Sequence, residues 1–570
     1  MARRQAAILS TSESATSTAA QKEELSAHIG GVAGKNDSEG EISGCVIRST
    51  DSASSSIKVA YGMVGGVAGY NNGSITDSGD ASTAALMSGV SGVASAKSAT
   101  NLIVHNANAS NSEVRKPDTS WLTWSNGADV EKMSYSSGDA VASGRSMQMI
   151  VSSNGNLGGI TGYNAPTGAM ERCASGNWLL VNKSAGIGVG TGGIIGMNET
   201  EKELRYLFNQ SFVGRQLVSD RSDRFAGGII GTQSNKTTEN WTIVGCVNYG
   251  TVYCYHTHYS GGIIGQWTGN GGTIESCRNY GLLQTTFKSS WVGASGGIVA
   301  QLYHASSNQD FNILSCENHG SIYLSGGING NGANDSAGIL GNVTAYNSSN
   351  GTDAQTFTIN VEDCVNGSSV KIYSSSMASG IVGFLSTDHA DVNGVKRATK
   401  NIVLNINRCR NYAAVLQGGQ YGGGRLFAAG IFGDRYTGGD YKTYIQSCFS
   451  STFDSTNTST QSNNIVSLAS PAHSMKMSPQ LIGDNYFFDY SIDDGVIADG
   501  AQSTPTLTAN VTAPKNLRTT TLGYARMVEF ARRADNNQIL ALRGAPEPDN
   551  LNSTDGFWLP YKYTKDSAYF

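Results

Sequence analysis

The chain has 570 residues, which is too long for one ordinary hydrophobic core and indicates either several domains or one elongated repeat array. Glycine supplies 71 residues and proline only 9, a composition that suits many short strands joined by turns. Charged residues make up 15% with a net charge of -5, there is no basic stripe, and no run of about 18 apolar residues occurs, so neither a nucleic-acid partner nor a membrane span is expected.

Residues 1–28 are rich in Ser, Thr, Ala and Glu and are predicted to form a polar N-terminal lead-in or a cap. The chain begins with a basic cluster, but the apolar stretch at residues 6–9 is too short for the core of a signal peptide. Because the composition otherwise favours an extracellular protein, we expect a processed form or a piece of a larger export product.

The first half of a repeat is a Gly-Gly-Ile-x-Gly segment, represented by residues 261–265 and by related copies from residue 29 onward. Counted from Gly159, consecutive copies are separated by 34, 35, 34, 35, 41, 42 and 50 residues. Such an increase is typical of loops inserted on one face of a solenoid. Residues 97–155 are less regular and are predicted to contain degenerate coils or an inserted loop.

The second half of the repeat reads Ile-x-x-Cys-x-Asn-x-Gly, with variations. Eight of the nine cysteines fit this pattern, and only Cys254 does not. The eight are Cys45, Cys173, Cys246, Cys277, Cys316, Cys364, Cys409 and Cys448. If the repeats stack in register, these side chains form an internal column of small apolar groups. No Cys-x-x-Cys pair occurs, so a zinc site is not expected, whereas oxidation of a few stacked pairs stays open.

Each repeat of about 35 residues offers three short strands separated by turn signals, the pattern of one coil of a parallel β-helix. A β-propeller has a similar period, but its blades need four strands. We therefore predict an all-β protein: a right-handed parallel β-helix, or β-solenoid, over residues 29–451. Residues 452–570 are predicted to be a linker and a small mixed capping or interaction module, with a helix near residues 521–533.

The recurring pair of segments resembles the GLUG repeats of bacterial cell-surface proteins, over roughly residues 29–450. GLUG repeats occur in adhesin-like proteins and in the non-catalytic regions of some surface peptidases of the IgA-protease type. The resemblance implies an exported protein at the bacterial cell surface. It implies no catalytic residues, because the repeats of that family carry none, and no cofactor.

Aromatic and histidine side chains are the candidate ligand-binding groups. Tyr255, Trp267 and Trp291, with Tyr303, lie on or between successive coils, where aligned rings can form a strip that binds sugars. His258 lies near them. It is two residues from His256, the spacing of two metal ligands on one strand face, but no acidic third ligand is close in sequence. Exposed histidines are thus the preferred interpretation, and no metal site is predicted.

Two clusters of charged residues are candidate sites, and the first is interpreted as a solvated loop. Asp220, Asp223 and Arg224 form the densest charged group within the repeats, but carboxylates do not recur in register on adjacent coils, as a carbohydrate-active site requires. Residues 489–495 are rich in Asp and suggest calcium, but they lack the spaced ligands of an EF-hand loop.

The first functional hypothesis is a non-enzymatic structural or adhesive surface protein, a solenoid that projects or self-assembles and presents loops for binding. Its expected partners are copies of itself, other surface proteins, or glycans. The alternatives are a β-helix polysaccharide lyase or glycoside hydrolase, and the stalk of a larger surface peptidase.

Overall fold

The computed structural model describes a stack of coils that begins near residue 27. The described residues are 27–47, 56–59, 62–80, 148–151, 155–176, 178–182, 189–216, 224–235, 241–255, 259–269, 271–287, 293–304, 310–326, 334–345, 356–367, 370–374, 377–386, 401–411, 413–417, 427–433, 441–446, 448–452, 480–482 and 486–489. The predicted lead-in before residue 27 and the helix predicted near residues 521–533 lie outside these ranges.

Every regular element in these ranges is a β-strand, and every pair of strands is parallel. Five sheets run along the stack, and through most of its length each sheet takes every fifth strand. We number them in the order in which a coil visits them. This connectivity confirms the predicted parallel β-helix, and it excludes a propeller for this part of the chain, because propeller blades are antiparallel. Nor do the described residues include a helix long and apolar enough to cross a membrane.

The first two sheets flank the Gly-Gly turn of each repeat. Sheet 1 contains β1 (His28–Gly30), β6 (Gly62–Gly65), β11 (Gly155–Gly158), β16 (Val189–Gly192), β21 (Arg224–Gly227), β26 (Tyr259–Gly261), β31 (Gly293–Gly296), β36 (Asn334–Ala337), β41 (Met377–Ser379) and β46 (Phe427–Ala429). Sheet 2 contains β2 (Ala33–Asn36), β7 (Ala68–Asn71), β12 (Thr161–Asn164), β17 (Ile195–Asn198), β22 (Ile230–Asn235), β27 (Ile264–Gly269), β32 (Val299–His304), β37 (Leu340–Ala345) and β42 (Val382–Ser386).

The next two sheets flank the cysteine. Sheet 3 contains β3 (Glu41–Ser43), β8 (Ser74–Thr76), β13 (Ala169–Glu171), β18 (Leu204–Arg205), β23 (Trp241–Val244), β28 (Gly272–Glu275), β33 (Phe311–Leu314), β38 (Thr356–Glu362), β43 (Asn401–Asn407), β47 (Tyr441–Gln446) and β49 (Gln480–Ile482). Sheet 4 contains β4 (Val46–Ile47), β9 (Gly79–Asp80), β14 (Ala174–Ser175), β19 (Phe208–Asn209), β24 (Val247–Asn248), β29 (Arg278–Asn279), β34 (Glu317–Asn318), β39 (Val365–Asn366), β44 (Arg410–Asn411), β48 (Phe449–Thr452) and β50 (Tyr486–Asp489).

The fifth sheet closes each coil and leads back to sheet 1. It contains β5 (Ser56–Val59), β10 (Gln148–Val151), β15 (Trp178–Asn182), β20 (Phe212–Gln216), β25 (Val252–Tyr255), β30 (Leu283–Phe287), β35 (Ile322–Gly326), β40 (Lys371–Ser374) and β45 (Ala414–Gln417). A coil thus has five strands, and the prediction of three was wrong. Each half of the repeat was predicted to form one strand but contains a sharp bend that divides it into two. The Gly-Gly turn separates the strands of sheets 1 and 2, and a corner before the cysteine separates those of sheets 3 and 4.

The stack is continuous on either side of the irregular stretch near residues 97–155, and it continues beyond residue 451, the predicted end of the repeats. β9 and β10 are consecutive strands of one coil, although residues 81–147 separate them, and β11 pairs directly with β6. No further coil is therefore stacked between β6 and β11, and most of the stretch predicted to contain degenerate coils or an inserted loop lies outside the described residues. At the other end β49 pairs with β47 and β50 with β48, so the solenoid extends past residue 451.

Two large hydrophobic cores run along the interior of the described coils. The larger core is enclosed by sheets 2 and 3, and columns of isoleucine and cysteine run along it, such as Ile243, Ile274 and Ile313. The smaller core lies between sheets 1 and 5 and includes Val252 and Leu283. Because stacked coils repeat the same apolar position, burial is continuous along the axis although no single coil buries its own side chains.

The two halves of the repeat meet inside each coil. A Cβ placed on Gly262 would lie 2.0 Å from the backbone oxygen of Gly297 and 2.4 Å from the Cγ atom of Asn279. The same relation recurs between Gly228 and Asn248. The second glycine of the Gly-Gly pair is required because the asparagine of sheet 4 packs directly on the turn, between the two cores.

The corner between sheets 3 and 4 uses a left-handed residue immediately before the cysteine position. In seven coils this residue is not glycine and has φ between 49° and 54°: Asp77, Arg172, Tyr206, Ser276, Ser315, Asp363 and Arg408. Gly44 and Gly245 occupy the same place. Left-handed backbone costs a non-glycine residue roughly 1–2 kcal/mol. The corner is therefore held by packing, with the cysteine turned inward and the preceding residue turned outward.

The predicted cysteine column is confirmed. Seven of the eight cysteines in the pattern are fully buried, Cys45 in the first coil is half-buried, and all nine cysteines are free thiols. Ser78 and Leu207 take the cysteine place in the two coils that lack one, as backbone bonds to Ala174 and Val247 show. Burial raises the pKa of the Cys173 thiol to about 12 and raises that of Cys316 well above its ordinary value. The thiols of Cys173 and Cys316 are therefore protonated and serve as packing groups.

Candidate interaction surface

The predicted aromatic strip does not form as one surface. Trp267 lies in sheet 2 with its indole fully buried, in edge contact with Trp241 (ring centroids 4.9 Å apart) and Phe311 (4.8 Å). It belongs to the core, so it does not face a ligand. Tyr255 ends β25 in sheet 5, in register with Gln216 and Thr286, away from Trp267.

The remaining sequence candidates fall largely outside the described residues. This is the case for His258, Trp291, Asp220 and Asp223, while Arg224 begins β21. Within the described ranges, no group of three or more His, Cys, Asp or Glu side chains is arranged to hold a metal ion.

The clearest candidate surface is the outer face of sheet 3. Its middle strands alternate buried and half-buried residues; in β28, for example, Ile274 is buried and Thr273 and Glu275 are half-buried. Two outward columns result. One is polar and uncharged and contains Thr242, Thr273, Asn312, Asn360 and Asn405; the other contains Val244, Glu275, Leu314, Glu362 and Asn407. We call this face the outer amide face.

Side-chain amides bond along the first column from coil to coil. Asn405 Nδ2 donates to Asn360 Oδ1 (2.8 Å), and Asn360 Nδ2 donates to Asn312 Oδ1 (2.9 Å). Asn312 Nδ2 lies 3.4 Å from Thr273 Oγ1. Each amide therefore has a fixed orientation, and its remaining donor and acceptor positions are available at regular spacing on a half-exposed surface.

Ion pairs between neighbouring coils border this face at the left-handed corner. Arg408 contacts both carboxylate oxygens of Asp363 (2.8 and 3.0 Å) and also reaches Glu362 (3.1 Å). Arg172 makes the same two-point contact with Asp77 (2.6 and 2.9 Å). Its hydrogen bonds hold the pKa of Asp77 below the ordinary value. These carboxylates are paired with arginines of the neighbouring coil, which makes them structural links between coils.

A second charged cluster lies on the outward side of sheet 4, but it is buried. Glu317 is fully buried, with its carboxylate 3.4 Å from Arg278 Nε and 2.9 Å from His319 Nε2. The ring of His319 stacks on Tyr280, which stacks on Tyr249, with centroids 4.9 and 4.5 Å apart. This cluster is an internally paired network, and it presents no open groove.

The outer amide face can act as a rigid, preformed hydrogen-bonding surface. Adjacent parallel strands lie about 4.8 Å apart, so the amides repeat at that interval. Sequence reasoning missed this face because Asn312, Asn360 and Asn405 precede the repeat's isoleucine or valine by one residue and lie in strands that were not distinguished. The available signal was an asparagine one residue before the aliphatic position in three successive repeats.

No protein-family model, curated protein or solved structure matches this chain.

Proposed function

We propose that the chain is a non-enzymatic structural or adhesive protein whose solenoid presents the outer amide face to a hydroxyl-rich polymer such as a glycan. The observation that supports this is the bonded column Asn312, Asn360 and Asn405 on a half-exposed sheet. The resemblance of the repeats to GLUG repeats supports placement at the bacterial cell surface, outside the cell.

The chemistry of the face suits a glycan better than a charged or apolar ligand. Amides offer both donors and acceptors, as sugar hydroxyl groups do, and the ladder holds them in place before binding, which lowers the entropic cost of association. The bordering carboxylates of Asp363 and Asp77 are already paired with arginines, so they contribute little unpaired charge.

Binding to a panel of immobilised polysaccharides tests this proposal. We expect N360A to weaken binding of whichever glycan is retained by about tenfold or more, since two hydrogen bonds are lost together with the orientation of their neighbours. The matched control is Lys442→Ala, an exposed residue of β47 in the same sheet. Equal binding by N360A and the control, or no binding to any glycan, would contradict the proposal.

A carbohydrate-active enzyme is the second candidate, and one observation favours it. Glu275 and Glu362 share the second outward column with Leu314 between them, so their backbones are two strand spacings, about 9.6 Å, apart. Inverting glycosidases need two carboxyl groups about 6.5–9.5 Å apart, and here the carboxylate of Glu362 is also bound by Arg408 (3.1 Å). Release of reducing ends from a bound polysaccharide, abolished in E275Q, would support the enzyme and displace the first proposal. The third hypothesis, the stalk of a surface peptidase, stays a prediction.

A further inference from the structure

The first outward column of sheet 3 changes from amides to an aromatic ring one coil beyond Asn405. Tyr444 in β47 is in register with Asn405, as Asn405 is with Asn360. The side chain of Tyr444 is half-buried, whereas its strand neighbours Thr443 and Ile445 are buried. The ring of Tyr444 therefore lies on the outer amide face, and its backbone is one strand spacing, about 4.8 Å, from that of Asn405.

The direction of the outer ladder leaves a hydrogen-bond acceptor at the same place. Each amide donates through Nδ2 to the coil before it, so the Oδ1 atoms of Asn312 and Asn360 are both occupied by the amide that follows. Asn405 is followed by the ring of Tyr444 instead. Within the described ranges, no group donates a hydrogen bond to Asn405 Oδ1. An open acceptor and a half-buried ring thus lie on adjacent strands.

This combination suits one sugar unit. A pyranose ring presents a face of C–H groups and a rim of hydroxyl groups. Its face can stack on the ring of Tyr444 while one hydroxyl group donates to Asn405 Oδ1. A purely apolar ligand would leave the amide oxygen without a donor, and a small polar ligand would leave the ring without a contact.

The charged groups beside the column disfavour an acidic glycan. Over the coils from Thr242 to Tyr444, the described charged side chains in the adjacent outward columns and at the corner are four acidic and two basic residues. They are Glu275, Asp310, Glu362, Asp363, Arg408 and Lys442. A polyanionic chain would meet this excess of carboxylates. An uncharged chain would be held by hydrogen bonds and ring contact, so its binding should depend little on ionic strength.

The position of the ring also gives the glycan a direction. A single sugar covers only Tyr444 and Asn405. A polymer that lies along the column also reaches Asn360 and then Asn312, whose backbone is three strand spacings, about 14 Å, from that of Tyr444. A polymer that lies across the strands would meet only one of these amides.

We propose that Tyr444 and Asn405 form an aromatic subsite of the outer amide face for one pyranose unit of an uncharged glycan. The ring of Tyr444 stacks on the sugar, and Asn405 Oδ1 accepts a hydrogen bond from a hydroxyl group. The glycan continues from this subsite past Asn360 and Asn312, parallel to the solenoid axis. This inference rests on the glycan binding proposed above, and it adds the class of glycan, the aromatic contact and the direction of the chain.

Affinity electrophoresis of the full chain in gels that contain one polysaccharide tests the subsite. The panel comprises uncharged glucans, mannans, xylans and galactans, with polygalacturonate, alginate and hyaluronate as acidic counterparts. We expect retention by an uncharged member, Tyr444→Ala to weaken it about tenfold, and Tyr444→Phe to stay within about twofold of the wild type because the ring is kept. The matched control is Tyr303→Ala, which removes a half-buried tyrosine of β32 in sheet 2 and should leave retention unchanged. Circular dichroism and melting temperature confirm that each variant folds.

Oligosaccharides made from the retained polysaccharide test the direction when they are used as competitors. Tyr444→Ala should weaken short and long competitors alike, whereas Asn312→Ala should weaken only those long enough to reach it. Equal effects of Asn312→Ala at every length would overturn the direction along the axis.

The outcomes separate this inference from the function on which it rests. If N360A weakens binding and Tyr444→Ala does not, the subsite is overturned and the proposed function stands. Equal losses in Tyr444→Phe and Tyr444→Ala would assign the effect to the hydroxyl group and overturn the stacking contact. Retention by the acidic polysaccharides alone, or its loss in high salt, would overturn the assignment to uncharged glycans. No retention by any polysaccharide would overturn both.

Discussion

Two of the asparagine ladders along the solenoid have the same chemistry and different surroundings. The inner ladder in sheet 4, with Asn248, Asn279 and Asn318, is fully buried and packs on the glycine turns. The outer ladder in sheet 3, with Asn360 and Asn405, is half-buried and faces outward. The amide–amide distances are nearly identical, 2.8 and 2.9 Å in the first ladder and 2.8 Å in this pair of the second.

The comparison shows that the contribution of a hydrogen bond to the stability of the fold depends on whether water can replace the lost partner. In the inner ladder no water can take the place of a missing partner, so loss of one amide leaves buried groups unsatisfied. In the outer ladder water can take that place. The inner ladder therefore stabilises the fold, whereas the outer ladder is free to exchange water for a ligand.

Among single substitutions, the largest expected effect is on the glycine that contacts the inner ladder. Gly262→Ala should lower the free energy of unfolding by about 3 kcal/mol or more, because the new Cβ meets a backbone oxygen at 2.0 Å that no rotamer change can relieve. The measurement is urea denaturation with hydrogen exchange of the surrounding coils. Gly44→Ala is the control: nothing lies within 4 Å of its Cβ, so it should cost only about 1 kcal/mol, from its positive φ. Equal losses would mean that the turn is not tightly packed.

The direct comparison of the ladders uses one substitution in each. Asn279→Ala should cost about 2 kcal/mol, since it removes partners from Asn248 and Asn318 in a buried site, whereas Asn360→Ala should cost less than about 0.5 kcal/mol. Denaturation midpoints of the two variants measure this difference. Equal losses of stability in the two variants would contradict the distinction between an inner ladder that stabilises the fold and an outer ladder that is available to bind a ligand.

Alkaline pH should lower the free energy of unfolding through the buried cysteine column, whereas the amides of the outer ladder do not titrate. The Cys173 pKa is raised to about 12 from an ordinary 9.0, so the folded state keeps a proton that the unfolded state loses. Stability from this thiol is complete below about pH 9 and falls by about 1.4 kcal/mol per pH unit between pH 9 and 12. Stability measured over that range should fall less steeply in Cys173→Ala. An identical slope in both proteins would contradict the assignment.

The smallest effect concerns the left-handed corner that separates the two faces. Ser276→Gly should raise the melting temperature slightly, by the equivalent of about 0.5 kcal/mol, because glycine relieves the strain at φ 54° but gains entropy in the unfolded chain. Gly44→Ser, at the same place in the first coil and with nothing within 4 Å of its Cβ, is the reciprocal variant and should lower the melting temperature. Shifts of the same sign in both would show that local packing, and not backbone strain, dominates the corner.

Much of the fold was accessible from the sequence because each coil contacts only its neighbours. The recurrence of Ile-x-x-Cys predicted the register, and Ile243, Ile274 and Ile313 do pair in one column. The number of strands was not accessible, since Arg278 and Asn279 form a strand of two residues whose limits are set by the corner before Cys277. Strands that short have no period to detect.

The candidate site was predicted less well. Trp267 was chosen because aromatic residues bind sugars, yet it lies within the core against Trp241 and Phe311. The outer amides were overlooked because asparagine in a repeat is equally typical of a turn, and Asn279 and Asn360 look alike in sequence. Which of them faces outward depends on the direction of each strand relative to the two cores.

The sequence by itself determined that the coils of this chain stack. Its period, its cysteine column and its parallel register follow from residues that contact the equivalent residues of the next coil. Only the tertiary structure decided that each coil has five strands around two cores, that Gly262 lies against Asn279, and that one end leaves Val32 uncovered. The physical reason is that stacking is a contact between like positions, which repetition reveals. Contacts across a coil join unlike positions, and these depend on how far the chain bends at each corner.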